Sequence, residues 1–251
     1  MTASGGGYLR SVSLPASADV DWASYPYTVP AVQALRDSEL RFADGVTFLV
    51  GENATGKSTL VEALAVATGL NPEGGSRSFR FSTRGSESEL GHRLRLRRSV
   101  RKPRTDYFLR AESFYTLATE IDALGADTDP RFAAAYGGGS LHEQSHGEAF
   151  LALLGHRFGP NGFYLLDEPE AALSVRSTFA VLARIHDLCR QGCQFVIATH
   201  SPVLLALPGA TILSADDGLR PVSYDEAAPV ELTRRFLADP RSILDRLLAP
   251  E

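Results

Sequence analysis

"GVTFLVGENATGKSTLVEALAVATGL", residues 45–70, decides the fold. It opens on a β-branched and aromatic run of strand length that stops at Gly51, and beyond Lys57 the apolar positions recur at helical spacing. Strand, loop and helix therefore follow one another directly. The loop, "GENATGKS" (51–58), satisfies G-x-x-x-x-G-K-[ST] in the context where that pattern carries chemistry, after a strand and at the opening of a helix. There the backbone around Gly51, Asn53, Ala54, Thr55 and Gly56 can cradle phosphates, with Thr59 in the same helix N-terminus. The Lys57 ammonium neutralises β- and γ-phosphates, and Ser58 offers its hydroxyl to Mg2+.

Two further apolar runs, "GFYLLDE" (162–168) and "QFVIATH" (194–200), each end in a polar cluster. Their hydrophobicity is continuous rather than alternating, which predicts strands buried on both faces of a mainly parallel sheet covered by helices. The intervening "AALSVRSTFAVLARIHDLCRQG" has helical periodicity and closes on Gly192, a C-cap residue. The expected class is α/β, with polar residues gathered at strand C-termini, where open sheets of this class place ligands. Asp167 can hold Mg2+ through water, Glu168 can orient and deprotonate an attacking water, and His200 can donate to a γ-phosphate or steady that water.

Residues 92–100, "HRLRLRRSV", alternate instead, and together with "DYFLRA" (106–111) they predict an antiparallel piece with one wet face. Alternation puts Arg93, Arg95 and Arg97 on one side, either as a wet edge that blunts strand pairing or as a stripe for nucleic-acid phosphates. The tail "ELTRRFLADPRSILDRLL" (231–248) reads as two amphipathic helices broken at Pro240 and packed on the core.

The chain has 251 residues, 44% of them hydrophobic and 22% charged, the make-up of a soluble globular protein. No apolar run approaches the ~20 residues of a membrane helix, and "MTASGGGYLR" lacks the order of a secretory signal, so a cytoplasmic protein is expected. The only cysteines, Cys189 and Cys193, lack a second pair or nearby histidine for a zinc site and read as reduced thiols. A net charge of −5 argues against wholesale nucleic-acid binding, although ten basic residues fall between Arg77 and Arg104.

"LHEQSHGEAFLALL" (141–154) follows a glycine-rich loop and opens a helix near Ser145. Ser145 and His146 are chain neighbours that point to different sides rather than at one another, so the stretch does not decide its own role, and a serine hydrolase would lack a G-x-S-x-G elbow and an aspartate partner. A phosphate loop, then a serine-glycine signature, then apolar-DEP, then a T-H strand end resembles the layout of ATP-binding-cassette (ABC) type ATPases, from about residue 28 to about 215. "DEPEAALS" and "THSPVLL" are closer to the soluble RecF, SMC and OLD-like groups, and the whole chain is similar to small stand-alone bacterial AAA-family ATPases with an E-Q-S-H-G-E signature.

The resemblance implies a P-loop ATPase using ATP and Mg2+, with Ser145 and the Gly147 amide reaching the γ-phosphate of ATP held by a second copy in an ATP-dependent homodimer. It places Glu112 roughly where the family's Q-loop glutamine senses Mg2+ or water; a surface carboxylate is the alternative reading. Tyr27 lies where an aromatic ring stacks on adenine or packs in the core. His146 replaces the signature's first glycine, and Ser174 stands where many ABC proteins carry an aspartate.

One domain is expected, with a core lobe at 28–104 and 150–225, a helical signature lobe at 112–149 and C-terminal helices at 229–249. The function implied is ATP hydrolysis coupled to a partner protein or nucleic acid. The alternatives are the nucleotide-binding subunit of an ABC transporter and a nucleotide-dependent switch with little turnover.

Overall fold

The computed structural model describes residues 7–15, 20–36, 38–72, 74–75, 89–112 and 146–249. Along the chain run β1 (Leu9–Ser13), α1 (Pro30–Gln33), β2 (Leu40–Arg41), β3 (Val46–Val50), α2 (Lys57–Thr68), α3 (Glu89–Arg93), β4 (Arg95–Arg98) and β5 (Thr105–Arg110). They are followed by α4 (His146–Arg157), β6 (Gly162–Asp167), a 3-10 turn (Pro169–Ala172), α5 (Val175–Arg190), β7 (Gln194–Ala198), α6 (Pro202–Leu205), β8 (Thr211–Ser214), β9 (Arg220–Val222), α7 (Ala228–Ala238) and α8 (Pro240–Leu247).

The core is a six-stranded sheet in the order β5-β6-β7-β3-β8-β9, parallel except for the β8–β9 pair. Every residue of β3, β6 and β7 is buried, as continuous apolar runs require of strands covered on both faces. Successive side chains of a strand point to opposite faces, so Tyr164 and Leu166 join Phe150 and Leu153 of α4 and Ile185 of α5 in one core layer. Phe163 and Leu165 join Leu60 and Leu64 of α2 in the other.

A small antiparallel sheet, β2-β1-β4, lies on the α2 side, where its Leu9, Val12 and Leu40 enter the second layer. Gln194 fastens it to β7. Its amide is fully buried, donates to Leu9 O and Ala43 O at 2.8 Å each, and accepts from Leu9 N at 2.9 Å. A buried amide satisfied in this way costs little and fixes register, whereas an unpaired one would cost about 1–3 kcal/mol.

The α/β class, the parallel core sheet and the separate antiparallel piece are as expected from the sequence. Three details differ. "DYFLRA" does not pair with 92–100; β5 is a parallel edge strand against β6, and the antiparallel partner of β4 is β1. Arg93 is the last residue of α3, paired with Glu89 at 2.9 Å, so the arginine alternation crosses a helix-to-strand junction rather than following one strand. In the tail, α7 buries only Val230 and α8 buries nothing, leaving Leu237, Leu247 and Leu248 exposed. The expected signature lobe falls mostly on 113–145, outside the described residues, as does Ser145.

Candidate active site

The parallel order β6-β7-β3 brings the C-terminal ends of three strands side by side, and each end carries part of the candidate site. After β3 the chain makes a tight loop using left-handed backbone at Ala54 (φ 67°) and Gly56 (φ 91°) before entering α2. Gly56 is required twice over. Its φ disfavours side chains, and a Cβ there would overlap Val29 Cγ2.

Lys57 begins α2 with its ammonium turned back into the loop, donating to Gly51 O at 2.8 Å and Glu52 O at 3.0 Å. The residue is 4% exposed, and burial lowers the ammonium's affinity for its proton. The negative charges of Glu168, Asp216, Asp167 and Glu52 oppose that shift.

Ser58 Oγ donates to Asp167 Oδ1 at 2.9 Å, joining the loop to the end of β6. Burial is the main cause that pushes the Asp167 carboxyl up to about 6; Ser58 and Arg110 act against it, Glu168 and Glu112 with it. A carboxylate that resists ionising when alone is suited to a cation. Among the described residues no three His, Cys, Asp or Glu side chains gather as a metal cage. Two hard oxygen ligands, Ser58 Oγ and Asp167, nevertheless fit Mg2+, which takes its remaining ligands from phosphate and water.

Glu168 follows with left-handed backbone (φ 49°), its N–H donating to Ala198 O at 2.9 Å. That bond sets the turn after β6 against the end of β7, where His200 Nε2 lies 3.7 Å from Glu168 Oε1. Both side chains are a little over one-third exposed, while His200 Nε2 itself is buried and has no hydrogen-bond partner. The two side chains therefore face each other at the joined ends of β6 and β7.

Of the other expected site residues, Thr55 Oγ1 closes the loop onto Glu52 O at 2.8 Å, and Asn53 is exposed at its tip. Glu112 is 80% exposed and paired at 3.3 Å with Arg110, which also lies 3.5 Å from Asp167 Oδ2. Gly147 lies in the first turn of α4. Ser174 caps α5, accepting from Ser177 N at 3.1 Å, a role in which serine is as good as aspartate. Tyr27 is 3% exposed and packs edge-on against Trp22, so it belongs to the core.

The sequence reading passed over four residues. Tyr25 rather than Tyr27 faces outward, 72% exposed, with its hydroxyl 3.3 Å from Thr59 Oγ1. Asp216, after β8, accepts from Glu52 N at 2.9 Å and steadies the start of the loop between β3 and α2. Arg110 and Glu170 complete the surroundings of Asp167 and His200. For Asp216, Arg110 and Glu170 the common signal is a polar residue at or just past a parallel strand's C-terminus, whereas Tyr25 lies in the turn before α1 and carries no such mark.

Comparison with known families matches an "AAA domain" at residues 28–117 and an "AAA domain, putative AbiEii toxin, Type IV TA system" at residues 140–206. The first match carries Lys57, Ser58 and Arg110, and the second Asp167, Glu168 and His200. Over these two segments the chain is similar to AAA domains. The macrolide export ATP-binding/permease protein MacB of Hahella chejuensis is 30% identical; the match covers 74% of this chain and 30% of that protein. This domain thus spans less than a third of the exporter's length. Similar solved structures include the SMC head domain from Thermotoga maritima, with TM-score 0.41, 18% identity, and coverage of 74% of this chain and 93% of that one. An SmcHead bound to the C-winged helix domain of ScpA gives 0.43, 17%, 75% and 93%. Among the described residues, no helix is long and apolar enough to cross a membrane.

Proposed function

We propose that this chain binds and hydrolyses Mg-ATP, with the active form a dimer in which Ser145 and Gly147 of one copy face the nucleotide of the other. The observation that carries the reading is the convergence of Lys57, Ser58, Asp167, Glu168 and His200 on the ends of three adjacent parallel strands. Lys57 binds the β- and γ-phosphates, exchanging the two carbonyls it now contacts for charged oxygens. Ser58 and Asp167 hold Mg2+, which supplies charge neutralisation on the phosphates when bound. Glu168 accepts the proton of the attacking water and His200 orients that water or the phosphate. The exposed Tyr25 ring supplies a stacking surface beside Thr59 for the base.

The output of the cycle is the switching of a partner protein or of nucleic acid. Arg95 and Arg97 of β4 are exposed and are the surface we assign to phosphate backbones. A second reading, an exporter's ATP-binding subunit, draws on the likeness to MacB. Membrane association seen only on co-expression with a permease would favour it.

Isothermal titration of Lys57→Ala with Mg-ATP tests the assignment. Two charge-assisted contacts contribute about 1.5–3 kcal/mol each, so affinity should fall at least ~100-fold. Affinity equal to wild type would remove the phosphate-loop role.

A further inference from the structure

Glu170 makes contacts that a solvated turn does not need. It lies in the 3-10 turn after β6, two residues beyond Glu168, and its side chain reaches across to the residues after β7. Glu170 Oε1 accepts from the Thr199 hydroxyl at 2.7 Å and from the His200 backbone N–H at 2.6 Å. Thr199 Oγ1 in turn accepts from Ser201 N at 3.0 Å, so consecutive backbone N–H groups on both sides of the histidine are tied to one carboxylate. The second oxygen, Oε2, is buried and has no hydrogen-bond partner. Packing stability alone does not explain a carboxylate held half unsatisfied, because such an atom costs about 1–3 kcal/mol.

The consequence lies in the distance between the two site residues. The main-chain bond from Glu168 N to Ala198 O sets the spacing of the two strand ends, but it does not determine where the chain goes after Thr199. The Glu170 clamp does. It fixes the His200 backbone, and thereby the 3.7 Å approach of His200 Nε2 to Glu168 Oε1. We infer that Glu170 is a positioning residue for hydrolysis, acting through His200 and touching neither nucleotide nor metal. This rests on the ATPase reading above. Misplacing a reacting group by about 1 Å costs on the order of 100-fold in rate, whereas nucleotide affinity, carried by the phosphate loop, stays unchanged.

The test is a double-mutant cycle on steady-state ATP hydrolysis, with nucleotide affinity measured alongside. Glu170→Ala should lower kcat about 10- to 100-fold and leave the Kd for Mg-ATP within about threefold. Glu170→Gln keeps an acceptor oxygen for both donors and should restore kcat to within about threefold of wild type. In a His200→Ala background, Glu170→Ala should cost almost nothing more, since residues acting as a unit are non-additive. Thr199→Val removes one donor without altering the carboxylate and should cost less than Glu170→Ala; if the alanine variant does not fold, this variant carries the cycle. Equal kcat in Glu170→Ala and wild type, or fully additive losses with His200→Ala, would overturn the inference while leaving the ATPase reading standing. No hydrolysis by the wild-type protein would overturn both.

Discussion

Replacing Gly56 by alanine puts the fit of the phosphate loop to a direct test. Gly56 has φ 91°, where an L side chain is strained by about 1–2 kcal/mol. The added Cβ would also overlap Val29 Cγ2 and lie 3.0 Å from Val29 Cβ, with Ala31 Cβ at 3.5 Å behind. Val29 caps α1 and its own side chain is β-branched, so it cannot swing away freely. Overpacking of this kind costs about 1–3 kcal/mol, and the two effects together predict a destabilisation of about 2–5 kcal/mol. For a chain of this size that corresponds to a fall in Tm of roughly 4–20 °C. Chemical denaturation of Gly56→Ala, Val29→Ala and the double variant separates the two costs. Val29→Ala should relieve the overlap with Cγ2 and leave the backbone strain together with the 3.0 Å approach to the remaining Cβ. A Gly56→Ala protein within 0.5 kcal/mol of wild type (on the order of a surface substitution), or no rescue by Val29→Ala, would refute the reasoning.

Asp167 predicts a pH dependence in the protein free of nucleotide and metal. Its folded value of about 6 lies above the ordinary 3.8, so the native state keeps the proton where the unfolded chain has lost it. The stability it contributes is full below pH 3.8 and lost as pH rises to about 6, at up to about 1.4 kcal/mol per pH unit. Asp167→Asn should flatten that slope in urea titrations, and an unaltered slope would count against the assignment. Ser145→Arg on a Glu168→Gln background should bind ATP as a monomer yet fail to dimerise by light scattering; a dimer there contradicts the trans role. Arg95→Glu with Arg97→Glu should weaken the salt-sensitive binding of single-stranded DNA by the ATP-bound protein, while ATP turnover stays unchanged. Unaltered DNA affinity assigns those arginines to the wet edge of β4 alone.

The strand, loop and helix at 46–68 and the two strands beside them were legible because burial on both faces writes an uninterrupted apolar run, with a polar cluster at its end. Strand partners leave no such mark. The strand within "DYFLRA" ends at Arg110, and only its pairing with β6 shows that it carries that arginine to Asp167. The arginine pattern at 93–97 misled because helix and strand meet at Leu94, so one periodicity was read across two elements. Tyr25 and Tyr27 flank one proline, and only the turn's path decides which ring packs on Trp22 and which faces outward. Glu170 was hidden for a different reason. Within "DEPE" it reads as one more acid in a turn, and its role exists only through donors thirty positions along the chain.

The central claim is catalytic, and phosphate release from Mg-ATP by wild type and Glu168→Gln, with Kd determined for both, tests it most directly. The account predicts turnover by wild type, an ATP affinity kept within about threefold in the variant, and a kcat lowered by roughly 100-fold or more, the contribution expected of a general base. Equal turnover by the two proteins, or none by wild type at saturating Mg-ATP, would contradict it.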